Sequence, residues 1–184
     1  MALCSITALF LIYKMILNLH NLEEIGFAFA GFSAGLVVWT MLEYYFHRFN
    51  YHEEQHIPAE KRGSDFKFNI TAHGIHHAFP NFPTIIVISY YVIFGYLVGM
   101  YFLFTLIFSL GTSYAIMLGA LVGETGYDIL HYFFHFGWQP TWKPIVRLKQ
   151  NHLVHHYRNT SQGFGVTNLF WDRVFGTSPT KKHL

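Results

Sequence analysis

Apolar and polar positions fall along this chain in long blocks rather than in the short periods of a soluble fold. Residues from about 2 to 17 are apolar apart from Lys14, and they lack the small-residue cleavage pattern of a removable signal peptide. They predict a first spanning helix. A polar link carrying Glu23 and Glu24 precedes a second apolar run, about 25–46, long enough to cross a bilayer and to form a hairpin with the first. From Thr84 to about Val122 the chain is apolar for roughly twice one crossing, which predicts two further spans, about 84–106 and 112–134. Gly111, Thr112 and Ser113 offer a turn between them, with Gly99 as the alternative break.

Composition strengthens this picture. The 184 residues are 52% hydrophobic and 20% aromatic, with a mean hydropathy of +0.27 and only 12% charged. A soluble domain carries about twice that charged fraction. The expectation is therefore an all-α integral membrane protein, residues 1–184 forming a single domain with about four transmembrane helices. The net charge of +2 argues against a nucleic-acid partner, and the single Cys4 leaves neither a disulfide framework nor a thiolate metal cluster. Of the basic residues only Lys14 precedes the second span's end, and all the others, from Arg48 to Lys182, fall on the side where the second and fourth spans end. The opposite link is acidic. By the positive-inside rule the basic face and both termini are cytoplasmic.

That face also carries the chemistry. Ten of the thirteen histidines fall into four groups there: His47 and His52; His73, His76 and His77; His131 and His135; His152, His155 and His156. The spacings are H-x4-H, H-x2-H-H, H-x3-H and H-x2-H-H. On a helix, residues three and four apart share a face, so each H-x2-H-H segment directs two nitrogens to one point and a third nearby. His47 and His52, five apart, require a helix end or a bend between them. Neutral imidazole is the commonest protein ligand for iron, zinc and copper, and ten are about twice what one ion uses. A two-metal centre follows. Glu43, four before His47, and Asp128, three before His131, are candidate acceptors for the distal ring N–H groups, and Glu124 is a candidate for facing inward from its span.

Other polar features receive plainer readings. His20 and His183 stand alone and read as solvated or hydrogen-bonded side chains. His52-Glu53-Glu54-Gln55-His56 spells the H-E-x-x-H of zinc proteases, including those embedded in membranes. The segment is short, polar and closed by Pro58, and it leaves the other grouped histidines without a role, so His56 reads as a bystander. Tyr44, Tyr45, Tyr90, Tyr91, Tyr96 and Tyr101 read mostly as interfacial belt and lipid packing.

Four stretches taken together resemble a known family: Glu43-Tyr44-Tyr45-Phe46-His47-Arg48-Phe49, His73-Gly74-Ile75-His76-His77, Gly126-Tyr127-Asp128 leading into His131-Tyr132-Phe133-Phe134-His135, and Leu148 to Tyr157. They are similar to the membrane fatty acid hydroxylase and sterol desaturase superfamily, and within it to fatty acid 2-hydroxylases. The tail from Gly163 to Thr167 and from Trp171 to Thr177 is similar as well, so the resemblance runs from about Gly35 onward. It implies a four-helix membrane stem capped by a cytosolic helical lobe with a histidine-rich dinuclear metal site. It implies two iron ions, with zinc as the substitute in isolated protein, and O2-dependent hydroxylation of a fatty acyl chain at C2. The ten grouped histidines carry over as its metal-site residues, with their division between the ions left open. With no fused cytochrome b5-like domain in the sequence, a separate electron donor is expected, cytochrome b5-like or a ferredoxin, docking on the basic face. One departure stands out. The 2-hydroxylases follow their H-G-x-H-H group with a proline, an aspartate, an arginine and a Pro-Pro pair, whereas this chain reads Pro80-Asn81-Phe82-Pro83-Thr84.

Rival readings differ in testable ways. A sterol or carotenoid oxidase, or a desaturase, would use the same metals on another lipid. A haem electron carrier predicts histidines facing each other across the bilayer, and a metal transporter predicts ligands at mid-membrane. The four groups lie at one membrane face instead.

Overall fold

The computed structural model describes residues 2–52, 73–82 and 90–180, and over these it is all-helical, with no strand. Helices form along the four apolar stretches: α1 (Ala2–Ile16), α2 (Leu22–Tyr45), α4 (Tyr90–Thr105) and α5 (Leu110–His135). Between α2 and α4 lie a π-helical turn, Phe46–Tyr51, and the short α3 (Ile75–Ala78); α6 (Lys143–Tyr157) and α7 (Phe170–Val174) follow.

Local chemistry sets these boundaries. Asn21 Oδ1 accepts the Glu24 N–H at 2.9 Å while Glu24 reaches back to the His20 N–H at 2.5 Å, a variant of the capping box that starts α2. The turn before α5 falls earlier than Gly111-Thr112-Ser113. Ser109 caps the helix, its Oγ 3.1 Å from Thr112 Oγ1 and its carbonyl accepting the Ser113 N–H at 2.9 Å, so all three residues sit inside α5. Gly99 lies within α4.

Among the described residues one helix, Leu22–Tyr51, is both long and apolar enough to cross a membrane. The helices α1 and α4 are apolar but only 15 and 16 residues long, and the start of the predicted third span, residues 84–89, lies outside the described residues. In contrast α5 is long, at 26 residues, yet less apolar. The reason is its position: residues 111–121 are all buried, so this helix faces protein and carries glycine, serine and threonine where a lipid-facing helix carries large apolar side chains. The outer helices show the opposite pattern. Phe29 on α2 is 75% exposed and Tyr91 on α4 86% exposed, among many exposed Leu, Ile and Phe side chains. Such a surface belongs to a membrane-associated protein.

Two compact units are distinguished, Met1–Trp39 with Ile88–Gly126, and Thr40–Val87 with Tyr127–Leu184. In the first, α2 and α5 meet along small residues. A Cβ added to Gly35 would lie 2.0 Å from the Ile116 carbonyl oxygen, and one at Gly119 would lie 2.1 Å from that of Phe32. Gly31 and Gly123 extend the seam against Thr112 and Trp39. Both helices thus present G-x-x-x-G, the spacing that lets backbones approach closely. Glu124 is fully buried in this unit, as an inward-facing carboxyl requires. The second unit packs Tyr44, Phe134, Leu148, Val154, Phe164 and Val166 into its core. Pro144 sits in the first turn of α6, where no amide donor is needed, and Trp171 Nε1 donates to Thr40 Oγ1 at 3.1 Å.

Candidate metal centre

All ten grouped histidines belong to the second unit, and each group is held by its own local geometry. The required bend between His47 and His52 is the π-helical turn, whose i→i+5 hydrogen bonding brings positions five apart into register; the two ring centroids are 5.3 Å apart. His131 and His135, four apart on α5, achieve the same with ordinary α geometry, at 5.1 Å. His76 and His77 lie on α3, with His73 just before it, and α6 supplies His152, His155 and His156.

These ten side chains converge as two sets of five, His47, His52, His73, His77 and His155 in the first, and His76, His131, His135, His152 and His156 in the second. Within each set the ligand nitrogens all lie within 4.8 Å of one another. The division follows a rule. Each H-x2-H-H segment gives its i, i+4 pair to one set and its middle histidine to the other, so His73 and His77 pair with His155, and His152 and His156 pair with His76. His77 and His156 stack where the sets meet, centroids 4.1 Å apart and nearly parallel at 12°.

The spacing of the nitrogens tests whether a metal ion fits. Metal–nitrogen bonds of about 2.0–2.1 Å place adjacent ligand nitrogens roughly 2.9–3.4 Å apart. In the first set the Nε2 atoms of His52 and His155 are 2.9 Å apart, those of His52 and His73 3.2 Å, and those of His73 and His77 3.0 Å. In the second, His76 to His156 is 3.1 Å and His135 to His152 is 2.9 Å. Both sets fit.

Protonation agrees with that use. Burial, reinforced by neighbouring imidazoles, holds His73, His152, His155 and His156 far below the usual histidine range and lowers His76 to about 2. The rings are neutral at physiological pH, the form that ligates metal. In the first set two tautomers are fixed by backbone. His47 Nδ1–H donates to the Phe164 carbonyl at 2.5 Å and His155 Nδ1–H to the Gln162 carbonyl at 2.9 Å, leaving each Nε2 as a lone-pair donor to the cluster. His47 Nε2 is buried and without a hydrogen-bond partner among the described residues. In the second set the buried Nδ1 atoms of His76, His135, His152 and His156 have no such acceptor among the described residues. Aromatic rings pack against the cluster: Phe164 lies edge-on to His47, Tyr51 stacks on His73 at 4.9 Å, and Tyr127 lies 5.2 Å from His131.

Two sequence expectations need revision. Glu43 accepts from the Val166 N–H at 2.5 Å, the Thr167 N–H at 2.9 Å and the Thr167 hydroxyl, so it grips the loop whose carbonyls hold the histidines, one step removed from a ring N–H. Tyr44 is buried rather than interfacial, because its hydroxyl accepts from Arg48 Nη1 at 2.8 Å and lies 2.9 Å from Thr177 Oγ1. Tyr45 and Tyr91 are exposed, in keeping with a lipid-facing belt. Asp128 is half-buried on α5, one turn before His131. His20 is exposed in the first unit. Within the H-E-x-x-H match only His52 is described, as part of the first set, and Glu53 to His56 lie outside the described residues, as does His183. Asn151 and Asp172, which the histidine spacing does not mark, are both buried, and the only sequence signal for either is that Asn151 directly precedes His152.

Comparison with known proteins agrees with this geometry. The fatty acid hydroxylase family profile matches residues 32–177. A ceramide very long chain fatty acid hydroxylase of Saccharomyces cerevisiae is 36% identical over 90% of this chain and 42% of its own length. A dihydroceramide fatty acyl 2-hydroxylase of Arabidopsis thaliana is 37% identical over 79% of this chain and 59% of its own length. The human fatty acid 2-hydroxylase is 30% identical over 83% and 41%. The chain thus spans about half the length of these relatives. A solved structure of full-length scs7p, with only the hydroxylase domain visible, superposes with a TM-score of 0.79 at 34% identity, covering 92% of this chain and 62% of that one. The chain belongs to the fatty acid hydroxylase family.

Proposed function

We propose that this chain is an O2-dependent hydroxylase of fatty acyl chains, acting at C2, with the ten histidines holding two iron ions. The observation that carries the reading is the pair of five-histidine sets, each with nitrogens at coordination spacing, in a chain of this family. The names of the relatives, ceramide and fatty acyl 2-hydroxylases, supply the substrate class and the position. When bound, two such ions supply O2 reduction and abstraction of hydrogen from an unactivated C–H bond.

The rest is the work of this chain's side chains. Neutral imidazoles hold the ions without adding negative charge, unlike the carboxylate-rich soluble bundles. Phe164, Tyr51 and Tyr127 exclude water from the cluster, which protects a reactive centre from side reactions. The acyl chain must be held so that one methylene reaches the metals. One oxygen atom ends in the alcohol and the other in water, so the turnover draws electrons and protons from outside. A separate cytochrome b5-like or ferredoxin donor docks on the basic face that includes Lys143, Arg147 and Arg158. In this reading α1, α2, α4 and α5 are the membrane spans, and the histidine lobe is cytoplasmic.

Lipid analysis after expression with a reductase system tests the activity. A 2-hydroxy acyl product is expected. A new double bond, or an oxidised sterol or carotenoid ring, would replace this reading with a desaturase or ring oxidase. Metal content of the detergent-purified protein, prepared without a histidine tag, is expected to be about two ions per chain. One zinc ion lost on mutating His56 would redirect attention to proteolysis.

A further inference from the structure

The segment from Gln162 to Thr167 contributes no ligand, yet it touches the first histidine set twice, through the Gln162 and Phe164 carbonyls. Its own shape is fixed by one buried carboxylate. Asp172 Oδ1 accepts the Phe164 N–H at 3.0 Å and the Thr177 hydroxyl at 2.7 Å. Asp172 Oδ2 accepts the Gly165 N–H at 2.9 Å and lies 3.4 Å from Asn151 Nδ2, which also donates to the Gly165 carbonyl at 3.1 Å. Glu43 grips the far end of the same segment at Val166 and Thr167. Gly163, at φ +74°, lets the chain turn against Asn151, where a Cβ would lie 2.8 Å from the Asn151 carbonyl oxygen. Asp172 is fully buried, and its charge is answered through Thr177 and Tyr44 by Arg48, whose guanidinium donates to the Tyr44 hydroxyl.

We propose that Asp172, assisted by Glu43, is a positioning residue for the first metal position alone: it fixes the loop whose carbonyls orient His47 and His155, both members of that set. The two positions then differ in their support. The first has two of its rings, His47 and His155, preorganised by the carbonyls of this loop, which makes no such bond to the second set. Partners that orient a metal-bound imidazole contribute about 10- to 100-fold in metal affinity, which sets the size of the effect. The inference rests on the reading that both sets hold metal ions.

Asp172→Asn is the informative change because it keeps the shape. The amide has one acceptor oxygen, so its NH2 must face either the Phe164 or the Gly165 N–H, and one buried backbone donor loses its partner. The experiment loads the detergent-purified full chain anaerobically with ferrous iron against a competing chelator and counts ions per chain by mass spectrometry. Wild type should hold about two and Asp172→Asn about one, with the weaker position losing about 10- to 100-fold in affinity. In a His135→Ala background, which disables the second set, Asp172→Asn should remove the remaining ion; in a His47→Ala background it should change nothing further. Wild-type stoichiometry in Asp172→Asn, or parallel loss from both positions, overturns the proposal. Should Asp172→Asn fail to fold, Thr177→Val decides by the same criteria, since it removes only one of the bonds to the carboxylate. Wild type that binds no iron at all would refute the metal reading itself, a result separate from any outcome in the variants.

Discussion

Replacing His155 or His156 with alanine is expected to lower activity on the order of 100-fold or more and to reduce bound metal from about two ions to about one. The two residues are neighbours in sequence but serve different sets, His155 the first and His156 the second. Each substitution should therefore empty one position and leave the other filled. His155 is buried and His156 half-buried, burial holds both rings neutral, and truncation leaves a gap in the ligand shell. His20→Ala, on the exposed link before α2, should leave activity and metal content near wild type. Metal analysis and product formation in the same preparations check this, and equal tolerance at all three positions would sink the site assignment.

The second large effect is expected far from the histidines. Gly35→Ala or Gly119→Ala should destabilise the first unit by about 2–3 kcal/mol, the cost of forcing an extra group into a closely packed interface. At both positions the intruding methyl would meet backbone carbonyl oxygen, at 2.0 and 2.1 Å, and backbone cannot rotate away as a flexible side chain can. The helices α2 and α5 must separate instead. Gly95→Ala and Gly99→Ala are the matched controls, because nothing lies within 4 Å of an added Cβ at either. There the higher helix propensity of alanine should leave stability unchanged or raise it by about 0.5–1 kcal/mol. Thermal unfolding in detergent distinguishes the pairs, and equal melting of all four variants would show that the seam is not under compression.

These two predictions also mark what could be read from the sequence. The ten histidines were legible because helical periodicity makes their spacing a statement about faces, and the structure brings all ten into the second unit. Their division into two sets was not. His52 and His155 meet across 103 residues, and no local period reports which face meets which. The glycine seam was spelled out in Gly31-x3-Gly35 and Gly119-x3-Gly123, but a G-x-x-x-G becomes informative only when its partner helix is known. The apolar run predicts helix α5, but Gly111-Thr112-Ser113 draws the turn too late, because the capping Ser109 lies unmarked within that continuous apolar run. The spacing of Glu43 from His47 marks it in the sequence, yet its partners lie more than 120 residues away in the tail. Asp172 carried no signal of its own: a single carboxylate between Trp171 and Arg173 looks like surface until the loop around it is seen.

The π-helical turn at Phe46–Tyr51 bears on how the motif should be spelled. In an α-helix, residues four apart are offset by about 40° around the axis and residues five apart by about 140°, so H-x3-H aligns two rings and H-x4-H does not. The wider turn absorbs the additional residue, and the two spellings become equivalent in space. The first and third histidine groups are then one device written with and without a single-residue insertion. Deleting one residue between Arg48 and Tyr51 would let that turn revert to α geometry with His47 and His52 still on one face. A search that treats this gap as elastic by one residue should therefore recover homologues that a fixed spacing discards.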